Sequence, residues 1–548
     1  MRWLSSFTLT IASIVLTTLP GIAAESIIIP LGTTTISISI DALENYAKKG
    51  TINPQESLST YLKLLNPEQK QTLIRLLETR YTNQDISIQP FFNSPLILSF
   101  LNYLGTIIQT QSGDNGVEAI HTSLLEVVDQ PNGFTIIDVM RQFPSPEIRL
   151  DIEKTLEILT RIVTLVQQTQ TVTKSLEFLS NIEAEKADFT DFSQRPDLRK
   201  PGTFAGIKKT ITVNNPENNR NFQVDIYLPD TAKTVDQFIH PVIVISHGLA
   251  SDRSRFENLA RHLNSYGFAV AVPQHPGSDY QQFQSLLQGE VKDLFEPAQF
   301  IDRPRDITIL LNQLEKLNAS DFNNQLDLQN VGVIGHSLGG YTALVLSGAT
   351  LDFTQLKTNC KPSDIPLNPS IFLQCRALEL PENNYQLKDS RVKAIFILNP
   401  VNSIILGASG LSKIKIPVFM TASNADFLAP ALSEQLQSFT WLTTPNKYLM
   451  MQNHATHFYD ITQENTSELS KLPQFIPPTS EISRNYIKAL SAAFFNAYLT
   501  QNPEYKPYLN AAYIQTIADP AYPLSLIESL TPNQLNNAIK GINYDENQ

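Results

Sequence analysis

The rhythm of apolar and polar positions changes near residue 200, and the chain carries a different pattern on each side. Before that point helical spacing dominates. Residues 33–40 alternate as a strand would, and Asp41 follows with Glu44 three positions on, which predicts a capping box at the start of a helix. Asn66 and Pro67 predict a second capped start. Further helices are expected over 94–110, 116–129 and 135–143, and a long one over 147–184. The long one carries Ile152, Leu156, Leu159, Val163 and Val166 at helical spacing, a stripe expected in a core or against another domain. Residues 25–190 therefore read as a mainly helical accessory domain, with 191–202, containing Pro196 and Pro201, as its linker.

From residue 203 short apolar runs alternate with helical segments. Strands are predicted at 210–213, 222–228, 242–246, 268–272, 330–334, 392–398, 418–422 and 447–451. The first two suit an antiparallel edge pair, and the later apolar runs suit a central parallel sheet buried on both faces. A helix over 483–499 would close the sheet, and Thr531 would cap a short last helix in a C-terminal extension, 506–548.

The fifth run leads into Gly335-His336-Ser337-Leu338-Gly339-Gly340, and an apolar helical segment follows. A strand, a serine flanked by glycines and a helix form a nucleophile elbow. Glycines two residues either side of the serine permit a sharp turn, which leaves the hydroxyl exposed at the sheet edge with a helix N-terminus behind it. Eight strands with the serine after the fifth match the α/β-hydrolase fold: a mostly parallel eight-stranded sheet over 203–505 with a mainly helical N-terminal domain before it.

A neutral hydroxyl needs a base. Of eight histidines, His454 and His457 lie just after the last predicted strand, where this fold keeps its base. His457, in a small-residue-x-His-Phe setting, is the expected base and His454 the alternative. Their spacing would suit a metal pair, but no third ligand is evident, so no metal is expected. Asp426, in the loop after the seventh strand, is the expected acid. The order Ser337, Asp426, His457 is the one the fold requires. The oxyanion donors would be the N–H groups of Leu338, next to the serine, and Leu249, in the His247-Gly248-Leu249 loop after the third strand.

The net charge of −12 and the lack of a basic run argue against a nucleic-acid partner. Arg2, the apolar stretch to Leu19 and the small residues Gly21 to Ala24 read as a signal peptide over 1–24, cleaved next to Glu25, with no membrane span left afterwards. An exported, periplasmic or extracellular protein is the expectation. Its two cysteines, Cys360 and Cys375, could then form a disulfide closing a loop of about 15 residues, a contribution of about 3 kcal/mol in the chain-entropy model. Both fall in a proline-rich insertion at about 351–391, expected to form a cap beside the acyl pocket.

Ser246-His247-Gly248-Leu249, Val272-Pro273-Gln274-His275-Pro276-Gly277-Ser278, Arg303-Pro304-Arg305-Asp306-Ile307 and the elbow together resemble bacterial hydrolases of the platelet-activating-factor acetylhydrolase and dienelactone-hydrolase-like group. The resemblance covers about 203–500. The preceding segment is similar to an N-terminal domain of unknown function attached to some exported members. Membership would imply cofactor-free hydrolysis of carboxylic esters through an acyl-serine, with Ser337, Asp426 and His457 as triad and Leu249 and Leu338 as donors. The implied partner is a small ester or lipid substrate. Dienelactone hydrolases use a cysteine nucleophile, so the serine shifts the expectation toward esterase or lipase-like chemistry on short, medium or lipid-derived acyl esters. The rival readings are a catalytically silent scaffold that binds a protein through its helical domain, and an acyltransferase using the same residues.

Overall fold

A computed structural model describes residues 23–63, 65–82, 87–216, 219–230, 239–361, 367–457 and 480–542. The predicted signal peptide, apart from Ala23 and Ala24, lies outside these residues, as do Pro362, Pro366 and Phe458. Among the described residues no helix is long and apolar enough to cross a membrane. The chain forms two compact units, the first holding the residues up to Thr160 and the second nearly all of the rest. The division falls inside the long helix, well before the stretch read as a linker. Within that stretch Leu198 is buried in the core of the second unit.

The first unit contains a small sheet of β1 (Ser26–Leu31), β2 (Thr34–Ser39), β3 (Ile108–Gln109) and β4 (Glu147–Leu150), in the order β2-β1-β4-β3. β1 and β2 form a hairpin, while β4 runs parallel to β1. Only the second of these strands was expected. Glu147–Leu150 had been assigned to the long helix, but its backbone groups pair with β1 instead, and the helix starts at Ile152 and runs to Lys186. Helices pack on the sheet around Ile27, Leu43, Tyr46, Leu101, Ile120, Phe143 and Ile148. The first helix, Ile40–Lys49, is capped by Ser39 rather than Asp41, and Glu44 bonds to Lys48 and Arg141 instead of closing a capping box. Asn66 caps Pro67–Glu78 as expected, with Gln69 completing the box.

The expected stripe on the long helix is not buried. Leu156, Leu159, Val163 and Val166 are each about half exposed. Helical spacing records that one side of a helix is apolar; it does not say what covers that side.

The second unit is a nine-stranded sheet of β5 (Gly206–Asn215), β6 (Arg220–Pro229), β7 (His240–Ser246), β8 (Ala269–Pro273), β9 (Leu326–His336), β10 (Val392–Leu398), β11 (Val418–Ser423), β12 (Lys447–Gln452) and β13 (Leu524–Ile527). The order is β13-β12-β11-β10-β9-β7-β8-β6-β5. Five adjacent pairings, from β8·β7 to β11·β12, are parallel; β5·β6, β6·β8 and β12·β13 are antiparallel. Alternate residues of β7 serve opposite faces, and both sets are buried: Ile243 and Ile245 on one, Val242 and Val244 on the other. Helices Glu257–Ser265 and Glu481–Tyr498 join the first of these layers. There Phe396, Phe419 and Tyr448 form an aromatic ladder across β10, β11 and β12, met edge-on by Phe494. The strands expected from sequence are all present. The ninth, β13, comes from the C-terminal extension, and the N–H groups of Leu526 within it and Glu528 just after it donate to Ser180 and Glu183 of the long helix. The otherwise open sheet edge is thereby closed.

Candidate active site

β9 ends in Gly335-His336, and the helix Leu338–Leu346 starts one residue after Ser337. Ser337 sits between them at φ 55° and ψ −116°, a sparsely populated backbone region that costs on the order of 1–3 kcal/mol. The two glycines are required by close approach. A Cβ on Gly335 would lie 2.0 Å from the Gly339 carbonyl oxygen, and one on Gly339 would lie 2.0 Å from that of Ser246. The strained turn places the serine at the C-terminal end of the sheet and at the positive end of a helix.

His457 Nε2 is 2.9 Å from Ser337 Oγ, and His457 Nδ1 is 2.7 Å from Asp426 Oδ2. A carboxylate has no proton to give, so Nδ1 carries the hydrogen and Nε2 is left to accept from the serine. All three side chains are buried or nearly so. Asp426 is held at four points. Oδ1 accepts from the N–H groups of Leu428 and Ala429, and Oδ2 accepts from Asn399 Nδ2 at 2.8 Å as well as from His457. Asn399 follows β10 at φ 40° and exchanges hydrogen bonds with Thr421. On the other side, His336 Nε2 donates to the His457 carbonyl at 2.7 Å, tying the histidine loop to the elbow. Sequence reasoning singled out neither Asn399 nor this bond.

His454, the alternative base, is exposed, and its Nδ1 bonds to the Ala521 carbonyl. The structure brings Ser337, His457 and Asp426 together and leaves His454 outside. Among the other histidines, His240 bonds to Gly267, burial pulls His262 down to about 4, and full burial holds His275 well below the usual imidazole range. Among the described residues no cluster of three or more metal-ligating side chains could hold a metal ion.

Leu338 opens its helix, so its N–H has no acceptor within the helix. The Gly248 backbone passes so near the elbow that a Cβ there would lie 3.4 Å from Ser337 Cβ. Leu249 follows directly. The Leu338 N–H thus stands next to the serine and the Gly248-Leu249 backbone passes close by, and the arrangement can pass a proton from Oγ to Nε2.

Cys360 and Cys375 are disulfide-bonded and link the helices Phe353–Asn359 and Ser370–Cys375 of the insertion. The insertion is docked through buried Phe353, Leu356, Leu373 and Ala377, and the Ser370 N–H donates to the carbonyl of Leu428, in the Asp426 loop. Glu434, fully buried, gathers Asn368, Ser370 and Gln374 of the insertion together with Ser403 and the backbone of Asn402.

Two family models match the chain. Residues 23–151, which lie within the first compact unit, match one described as alpha/beta hydrolase of unknown function (DUF1400). Residues 241–350, from β7 through the helix behind Ser337, match one described as alpha/beta hydrolase fold. With the strand order and the elbow, these matches make the chain an α/β hydrolase by fold.

Proposed function

We propose that this protein is an exported serine carboxylic-ester hydrolase, related in substrate class to the platelet-activating-factor acetylhydrolase-like group. Its substrates on this reading are short or medium acyl esters or lipid-derived esters. The observation that carries the reading is the unbroken hydrogen-bond chain from Ser337 through His457 to Asp426, set on a strained turn at a helix start. In acylation, Oγ attacks the ester carbonyl while its proton moves to Nε2. Asp426 stabilises the imidazolium, and the N–H groups of Leu249 and Leu338 receive the oxyanion. Collapse expels the alcohol, which takes the proton from Nε2. A water molecule activated by the same nitrogen then attacks the acyl-serine, releasing the carboxylic acid and restoring the hydroxyl.

Export is supported by the leader-like sequence before residue 25 and by the Cys360–Cys375 disulfide, a bond characteristic of oxidising compartments. The test is turnover of p-nitrophenyl esters of graded chain length by the wild type and by Ser337→Ala. The reading requires activity in the first and its loss in a folded second protein; full activity in the variant would overturn it.

A further inference from the structure

Among the described residues Arg303 is the bulkiest fully buried side chain, and its hydrogen-bond partners are all neutral. Nη1 donates to the His247 carbonyl at 2.7 Å, and Nη2 to the carbonyls of Gly248 at 3.3 Å and Ser278 at 3.2 Å. Nε donates to Ser278 Oγ at 2.8 Å. Burial pulls the guanidinium down to about 9, so it keeps its charge at neutral pH, helped by the nearby carboxylates of Asp279 and Asp306. Enclosing a charge this fully costs several kcal/mol, which a neutral side chain of similar size would avoid.

Its position is set by its neighbours. Pro304, inside the helix Gln299–Asp321, has no N–H to offer the carbonyl four residues back. That carbonyl, of Phe300, instead accepts from the hydroxyl of Tyr341 in the helix behind Ser337. The helix that carries Arg303 is thereby tied to the helix that carries the elbow.

The two carbonyls gripped in the loop after β7 are informative because of what lies at the other end of each peptide. A trans peptide is planar, with its C=O and N–H pointing in opposite directions, and no peptide in the described chain is cis. The Gly248 carbonyl belongs to the same peptide unit as the Leu249 N–H. A guanidinium on the carbonyl side therefore aims the N–H away from itself, and its charge polarises the unit in the sense that strengthens the donor.

We propose that Arg303 is a positioning residue of the oxyanion site, holding the carbonyl of His247 and, together with His247 Nδ1 at 2.8 Å, that of Gly248, so that the Leu249 N–H faces the oxygen of the carbonyl attacked by Ser337. This rests on the reading of Ser337 as acyl acceptor. The test uses the full chain with Arg303→Lys, which keeps the charge but not the fork, and Arg303→Met. The readouts are kcat and KM for a p-nitrophenyl ester, affinity for a trifluoromethyl ketone that forms an oxyanion on the serine, and the thermal midpoint. The expected result is a kcat lower by about 100-fold, the scale of one lost oxyanion donor, with KM changed by less than about threefold. Ketone affinity should fall by the same factor as kcat/KM. Folded variants with wild-type kcat, or a loss carried by KM with ketone affinity intact, would overturn the proposal. Should neither Arg303 variant fold, Ser278→Ala removes the acceptor of Nε together with that hydroxyl's bonds to the His275 carbonyl and Gln299 Oε1, and keeps the guanidinium itself. A fall in its kcat matched by a fall in ketone affinity supports the proposal, and wild-type values for both reject it. Turnover retained by Ser337→Ala would instead defeat the underlying reading, whatever Arg303 does.

Discussion

Two serine–histidine pairs with the same oxygen–nitrogen distance lie at the C-terminal end of the large sheet. Ser337 Oγ and His457 Nε2 are 2.9 Å apart, and so are Ser246 Oγ and His275 Nε2. Behind His457 stands Asp426, itself fixed by Asn399 and two backbone N–H groups. Behind His275 no acid stands among the described residues: its Nδ1 is buried without a hydrogen-bond partner, and the completely enclosed ring packs against that of His247. Ser246 ends a regular strand with no exposed surface, whereas Ser337 occupies a strained turn at a helix start and keeps 8% of its surface open. A close serine–histidine contact is therefore not sufficient for a nucleophile. The acid, the strained turn, the helix start and the open face distinguish one pair from the other.

The sharpest way to break this comparison is to remove each serine in turn. Ser337→Ala should lower kcat by about a millionfold, the scale seen when a triad nucleophile is lost, and Ser246→Ala by less than about tenfold. Ester turnover with matched circular dichroism spectra checks both. Comparable losses from the two would erase the distinction. Next in size, Asp426→Asn should lower kcat by about ten-thousandfold at neutral pH, because the amide favours the wrong imidazole tautomer.

Two buried imidazoles away from Ser337, those of His275 and His262, should make stability depend on pH. Burial depresses His275 below its unfolded value, so the unfolded chain binds the proton first. Stability from this group is complete above about pH 6.5 and declines as pH falls below it, by at most about 1.4 kcal/mol per pH unit. His262, at about 4, adds a loss of the same sign over the window from about 6.5 down to 4. Urea unfolding at pH 7 and pH 5 measures the slope, and His275→Gln should flatten it while leaving most activity. Among the residues that hold the candidate triad, the smallest expected loss is that of Asn399→Ala, about tenfold in kcat, since Asp426 keeps its backbone donors and its bond to His457. An unchanged kcat would show that the Asn399 amide does not help to orient the acid.

How much of this was legible in the sequence depends on the range over which each feature is specified. The elbow is nearly local: Gly335 is demanded by the Gly339 carbonyl inside one strand-turn-helix unit, and only Gly339 answers to a neighbour outside it, the Ser246 carbonyl at the end of β7, so five residues spell it out. Asp426 and His457 could be found because each follows a recognisable apolar strand. Asn399 could not, because it meets Asp426 across 27 positions and resembles any loop asparagine. β13 is four residues long, too short for a period to register, and Glu147–Leu150 was absorbed into the helical pattern beside it. The stripe from Leu156 to Val166 was read correctly as helical and wrongly as covered, since covering is a property of the fold around it.

The central claim is that Ser337, and not Ser246, accepts the acyl group. It is tested most directly by treating the wild-type protein with a fluorophosphonate and locating the modified residue by peptide mass spectrometry. The account predicts near-stoichiometric modification of Ser337, no modification of Ser246, and loss of labelling in His457→Ala. Label on Ser246, or none on a folded wild-type protein, would contradict it.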